Sequence, residues 1–145
     1  MENILISGFF DPLHVGHINL ICHAASYGRV IIALNTDIQA YLKKGFVFMP
    51  YDERLSILSA LADVDRVIKV MDDDETICKT LEYIRPTYFA NGGDRVIANT
   101  KEDEVCKRLN IQQLFNIGGK KIQSSTALIK RVAMLREGLG LYDYI

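Results

Sequence analysis

The residues best suited to chemistry lie near the start of the chain, in Gly8-Phe9-Phe10-Asp11-Pro12-Leu13-His14-Val15-Gly16-His17. His14 and His17 are three apart, so a helix would set both imidazoles on one face. Gly8 lets a ligand approach bare backbone, Pro12 stiffens the turn, and Gly16 leaves room for close contact at the first helical turn. A helix N-terminus favours phosphate through its free amides and macrodipole. Two histidines there read as a clamp for a polyphosphate. In isolation they read as capping or surface histidines.

Three further stretches carry groups of the same kind. Lys43-Lys44-Gly45 precedes the apolar Phe46-Val47-Phe48-Met49-Pro50. The lysines are either a solvated pair or phosphate ligands, and the apolar run is either a mobile lid or a dimer contact. Asn91-Gly92-Gly93-Asp94-Arg95 offers bare backbone and charge at a strand end. Gly118-Gly119-Lys120-Lys121 leads into Gln123-Ser124-Ser125-Thr126. Serines and threonine ahead of a helix are ordinary caps, but with two lysines and two glycines they make a second anion site. Asp72-Asp73-Asp74 suggests a metal, yet consecutive loop residues diverge, and a solvated cap at a helix N-terminus fits better.

The elements that must position these groups follow from apolar periodicity. Ile4-Leu5-Ile6, Val30 to Leu34, Asp65 to Val70, Thr87 to Ala90 and Ile111 to Ile117 read as strands. Val15 to Ser26, Tyr51 to Leu61, Thr76 to Ile84, Lys101 to Leu109 and Ala127 to Glu137 read as helices, while residues 38 to 50 break the pattern and read as a loop. Strands alternating with helices imply an α/β fold with a doubly wound parallel sheet of about five strands. The motifs then fall at strand ends, where such sheets bind ligands.

Composition is that of one ordinary globular domain of 145 residues, 49% hydrophobic and 24% charged. A net charge of -1 gives no long-range reason to expect nucleic acid or a membrane surface as partner. No apolar run approaches the length of a spanning helix, and Met1-Glu2-Asn3 lacks the basic start of a secretory leader, so a cytoplasmic protein is expected. Cys22, Cys78 and Cys106 lack metal-type spacing and read as reduced thiols. The apolar, aromatic tail from Leu141 to Ile145 is expected to dock on the body or on a partner subunit.

The first stretch resembles the GxFDxxHxGH signature of the cytidylyltransferase-like nucleotidyltransferases, and every fixed position is filled. The order of the later motifs is similar to that of the branches acting on glycerol-3-phosphate and on heptose phosphate. The branches differ in detail: the first carries an arginine shortly before its last motif, where this chain has Gly118-Gly119-Lys120-Lys121. The second has a lysine before its GGD turn, where this chain has Asn91.

The resemblance implies a Rossmann-like domain that moves a nucleotidyl group from CTP or ATP to a small phosphorylated acceptor. It implies His14, His17, Lys44 and Ser125 as catalytic, and Gly8, Phe9, Phe10, Asp11, Gly16, Gly93, Asp94, Ser124 and Thr126 as nucleotide-binding. Lys43, Asp37 and Arg54 would face the acceptor, and Asp11 would orient the site or approach a metal. Mg²⁺ would bridge the nucleotide phosphates, and a homodimer is implied. A non-catalytic nucleotide-binding module is the alternative on the same fold.

Overall fold

A computed structural model describes residues 2–92 and 99–139. The elements are β1 (Asn3–Gly8), α1 (Val15–Ala25), β2 (Arg29–Leu34), α2 (Asp37–Lys44), α3 (Tyr51–Ser59), β3 (Val64–Lys69), α4 (Cys78–Ile84), β4 (Tyr88–Gly92), α5 (Thr100–Arg108), β5 (Gln112–Ile117) and α6 (Ser125–Leu139). The five strands form one sheet in the order β3-β2-β1-β4-β5, every pair parallel. This is the α/β sheet that the strand–helix alternation predicts.

Because both faces of a parallel sheet are covered, its central strands are apolar throughout. Ile4, Leu5 and Ile6 of β1 are almost fully buried, and successive residues serve opposite layers. Ile4 and Ile6 join Ile32, Leu34, Ile21 of α1 and Leu58 of α3 in one core. Leu5 joins Ile31, Phe89, Leu81 of α4 and Cys106 of α5 in the other. Each such side chain contributes roughly 1.5–3 kcal/mol on burial, so the two cores fix the sheet between α1/α3 and α4/α5.

β1 has β2 on one side and β4 on the other, so the direction of winding reverses at its carboxyl end. Crevices open at such switch points. Two clefts do so here, and both are lined by Gly92 at the end of β4.

The sequence reading of residues 38 to 50 as a loop is corrected by α2. Thr36 Oγ1 accepts the Gln39 amide and Gln39 Oε1 accepts the Thr36 amide, a reciprocal capping box, and Gly45 ends the helix at φ 83°. Asp72 is likewise not solvated. Only 6% exposed, it accepts the amides of Lys79 and Thr80 and caps α4 from within the core. The predicted tail and the Gly93-Asp94-Arg95 segment lie outside the described residues.

Candidate functional site

The site begins where β1 ends. Phe10 adopts a left-handed φ of 52°, and its buried ring covers Gly8, where a Cβ would sit 3.1 Å from Phe10 Cε2. The same ring supports His17, with centroids 4.7 Å apart.

His14 is the N-cap of α1, a place usually held by Ser, Thr, Asp or Asn. Its Nδ1 accepts the Gly16 amide at 3.1 Å, and His17 Nδ1 accepts the His14 amide at 3.1 Å. Both Nδ1 atoms are therefore unprotonated, and each ring carries its proton on Nε2. Gly16 is required because a Cβ there would lie 2.9 Å from His14 Cε1. The capping and the phosphate-clamp readings of these histidines are thus compatible, since capping uses one nitrogen of each ring.

Electrostatics favour the neutral rings. Burial, with the neighbouring His14 and Lys44, pushes His17 down from 6.5 to about 3. Burial and the Lys121 charge also lower His14. The paired rings can donate N–H bonds to an anion without carrying charge themselves.

The structure brings Lys44 to the histidines. Its Nζ lies 3.5 Å from the Asp11 carbonyl and 4.8 Å from the centre of the Phe9 ring, and Lys43 Nζ sits 5.4 Å from the same ring. Desolvation lowers the Lys44 pKa, with the Asp11 charge opposing that shift. A partly desolvated ammonium near enough to act on the His17 imidazole makes an anion locus with it.

Three of the expected ligands are engaged by the protein's own groups. Asp11 is fully buried, and its carboxylate accepts the amides of Phe48 at 2.8 Å and Met49 at 2.5 Å, so it faces the loop after α2 and not a metal. Arg54 is 1% exposed and lines neither cleft. Its guanidinium donates to the carbonyls of Met49, Phe9 and Asn35 at 2.8 Å each and to Asp37 Oδ1 at 2.6 Å. Asp37 is occupied by that ion pair and lines neither cleft. Arg54 and Asp37 thus tie the ends of β1 and β2 to α2, which carries the lysines.

The first cleft, about 480 Å³, lies between the N-termini of α1 and α6. It is lined by His14, Gly16 and His17 on one side and by Gly118 to Thr126 on the other. Ser125 Oγ donates to the Pro12 carbonyl at 2.8 Å, which locks α6 against the first motif. Ser124 caps α6 by accepting the Ala127 amide at 3.0 Å. The Ser125 and Thr126 amides, in the first turn, are those a helix leaves without an internal acceptor. The second cleft, about 470 Å³, is lined by Gly8, Phe9, Asn35, Lys43, Asp74 and Asn91 among others. Gly93 and Asp94 lie outside the described residues.

Sequence reasoning missed His23, whose Nδ1 accepts the Gly118 amide at 2.8 Å across 95 positions. Nothing local marks that residue, which is exposed on the last turn of α1.

The cytidylyltransferase-like family model matches residues 5–132. The chain belongs to that family. It is 34% identical over 97 residues to the bifunctional protein HldE of Aliivibrio fischeri, covering 65% of this chain and 20% of that protein. Against the bifunctional protein HldE of Aliarcobacter butzleri it is 33% identical over 132 residues, covering 89% and 26%. The cytidylyltransferase-like chain thus spans about a fifth to a quarter of the length of these relatives. Its fold is similar to the crystal structure of a lipopolysaccharide core biosynthesis protein from Thermoplasma volcanium, with TM-score 0.71, 23% identity and coverage of 83% and 99%. No described helix is long and apolar enough to cross a membrane.

Proposed function

We propose that this protein transfers a nucleotidyl group from ATP or CTP to a small phosphorylated sugar or alcohol. The observation that carries this reading is the meeting of two helix N-termini across one cleft, with neutral histidines on one rim, Lys120 and Lys121 on the other, and Lys44 near enough to His17 to act on its charge. In this reading the triphosphate spans α1 and α6 in the first cleft. The acceptor enters from the second, phosphate first, toward Lys43 and Lys44.

A phosphate monoester has a second pKa near 6, so the acceptor is already a dianion at neutral pH and needs no protein base. Its oxygen attacks the α-phosphorus, a new P–O bond forms, and the bond to the bridging oxygen breaks in line as pyrophosphate leaves. His14 and His17 donate through Nε2 to the oxygens where charge gathers, Lys44 holds both reacting phosphates together, and the amides of Ser125 and Thr126 with Lys121 receive the leaving group.

Mg²⁺ bound to the phosphates would neutralise further charge. No described group of acidic or histidine side chains could hold such an ion by itself, and the Asp11 carboxylate is turned away, so the nucleotide would carry it.

The likeness to HldE proteins supports ATP and a sugar phosphate as the first pair to assay. A homodimer would cover the exposed Ile38, Tyr41 and Leu42 of α2. Pyrophosphate release measured across ATP, CTP and a panel of phosphorylated sugars and polyols tests the reading. Turnover with one pair is expected. Tight nucleotide binding without turnover for any acceptor would contradict it and support a non-catalytic module.

A further inference from the structure

We propose that His23 is a positioning residue that latches the loop between β5 and α6 onto α1 and thereby sets the width of the nucleotide cleft. This inference rests on the assignment of the first cleft to the nucleotide.

The loop cannot hold its own shape by regular structure. Asn116, Gly118 and Gly119 all have left-handed φ angles, 57°, 84° and 76°, and one internal bond, from the Gly119 amide to the Asn116 carbonyl at 3.2 Å, spans the turn. Such backbone persists where outside contacts over-determine it. Among the described residues two contacts from α1 do so here.

The first is steric. A Cβ on Gly118 would lie 2.8 Å from Leu20 Cα and 2.9 Å from Leu20 N, so the loop backbone rests directly on the helix backbone. The second is the bond from the Gly118 amide to His23 Nδ1 at 2.8 Å. The imidazole is itself oriented one turn along the helix by Tyr27, with centroids 5.9 Å apart, and Tyr27 meets the Tyr88 ring edge-on at 5.5 Å. Steric contact alone sets a limit of approach. The hydrogen bond adds direction and register.

His23 is six residues beyond His17, about 9 Å along the helix, and lines neither cleft. It touches no reacting group. Its effect passes through Gly118 to Gly119, Lys120 and Lys121, which form the wall opposite His14 and His17. With the latch open, the same lysines and amides remain but no longer face the histidines at a fixed separation.

Two substitutions test this. His23→Leu removes the acceptor, whereas His23→Asn supplies a carbonyl oxygen that the Gly118 amide can reach. In His23→Leu the Gly118 amide is expected to exchange with solvent at least tenfold faster, on the order expected for loss of one hydrogen bond. The nucleotide Kd and KM should rise about fivefold to tenfold, of the same origin, while the acceptor KM stays near wild type. His23→Asn should restore both readouts. Faster Gly118 exchange with unchanged nucleotide affinity would overturn the proposal, leaving a stability role alone. A fall in kcat at constant KM would overturn it too. Wild-type protein that binds no nucleotide defeats the assignment of the cleft instead, an outcome separable because the Gly118 exchange difference would persist.

Discussion

His14 and His17 stack ring on ring, with centroids 3.8 Å apart and planes 24° from parallel, and each Nδ1 is bonded to an amide of the same helical turn. One interaction set thus closes the N-terminus of α1, fixes both tautomers and leaves two N–H groups for an anion. The Thr36/Gln39 box at α2 closes its helix in the same way with side chains that do not titrate. That internal counterpart shows how capping and chemistry can be separated.

His17→Gln should keep the cap and lose the chemistry. A glutamine at this position can accept the His14 amide as Gln39 accepts the Thr36 amide at 2.9 Å. The melting temperature should therefore stay within a few degrees of wild type, while kcat falls by about a hundredfold or more, as for removal of a donor aimed at the transition state. Circular dichroism melts and pyrophosphate-release kinetics on the same preparation check both halves.

The same substitution should flatten the pH dependence of stability. His17 is held near 3 in the folded protein against an ordinary 6.5, so between these values the unfolded chain binds a proton that the folded chain does not. Stability is then fully present above about 6.5 and is lost as pH falls through that window. Urea unfolding at a series of pH values should give a steeper loss below pH 6.5 for wild type than for His17→Gln.

Gly16→Ala should damage activity more than stability. Alanine is the better helix former by up to about 1 kcal/mol, but its Cβ would come within 2.9 Å of His14 Cε1 and displace the ring. A loss of at least about tenfold in kcat is expected from such a misplacement, without a fall in melting temperature. Steady-state kinetics with thermal melts decide it.

The fold was largely legible because buried parallel strands leave continuous apolar runs and helices leave spaced ones. The first motif was legible because its glycines and histidines answer local steric demands, as Gly16 does for His14. α2 was obscured because it is only eight residues long and its apolar Ile38, Tyr41 and Leu42 face outward while Ala40 alone is buried, although Thr36 and Gln39 announce its start. The burial of Arg54 and Asp72 was not legible because charged residues are ordinarily exposed. Here Arg54 is buried against the carbonyls of Phe9 and Asn35, far along the chain, and Asp72 against amides seven and eight residues on, partners that only the folded chain brings to them.

Arg54→Met should therefore act on folding. Removing the guanidinium would strand three carbonyls and leave the half-exposed Asp37 carboxylate without its partner, a loss of at least about 1–3 kcal/mol from the acceptors left unmade. Arg54→Lys should rescue little, because one ammonium cannot span all four acceptors. Chemical denaturation of both variants measures this, and near wild-type stability in Arg54→Met would return the residue to the list of acceptor ligands.

The central claim is that the N-termini of α1 and α6 grip one triphosphate. Titration of a non-hydrolysable nucleoside triphosphate, followed by amide chemical shifts, tests it most directly. The amides of Gly16 and His17 and those of Ser125 and Thr126 are predicted to shift together along one binding curve with a single Kd. Movement of only one group, or two curves with different midpoints, would contradict the shared site.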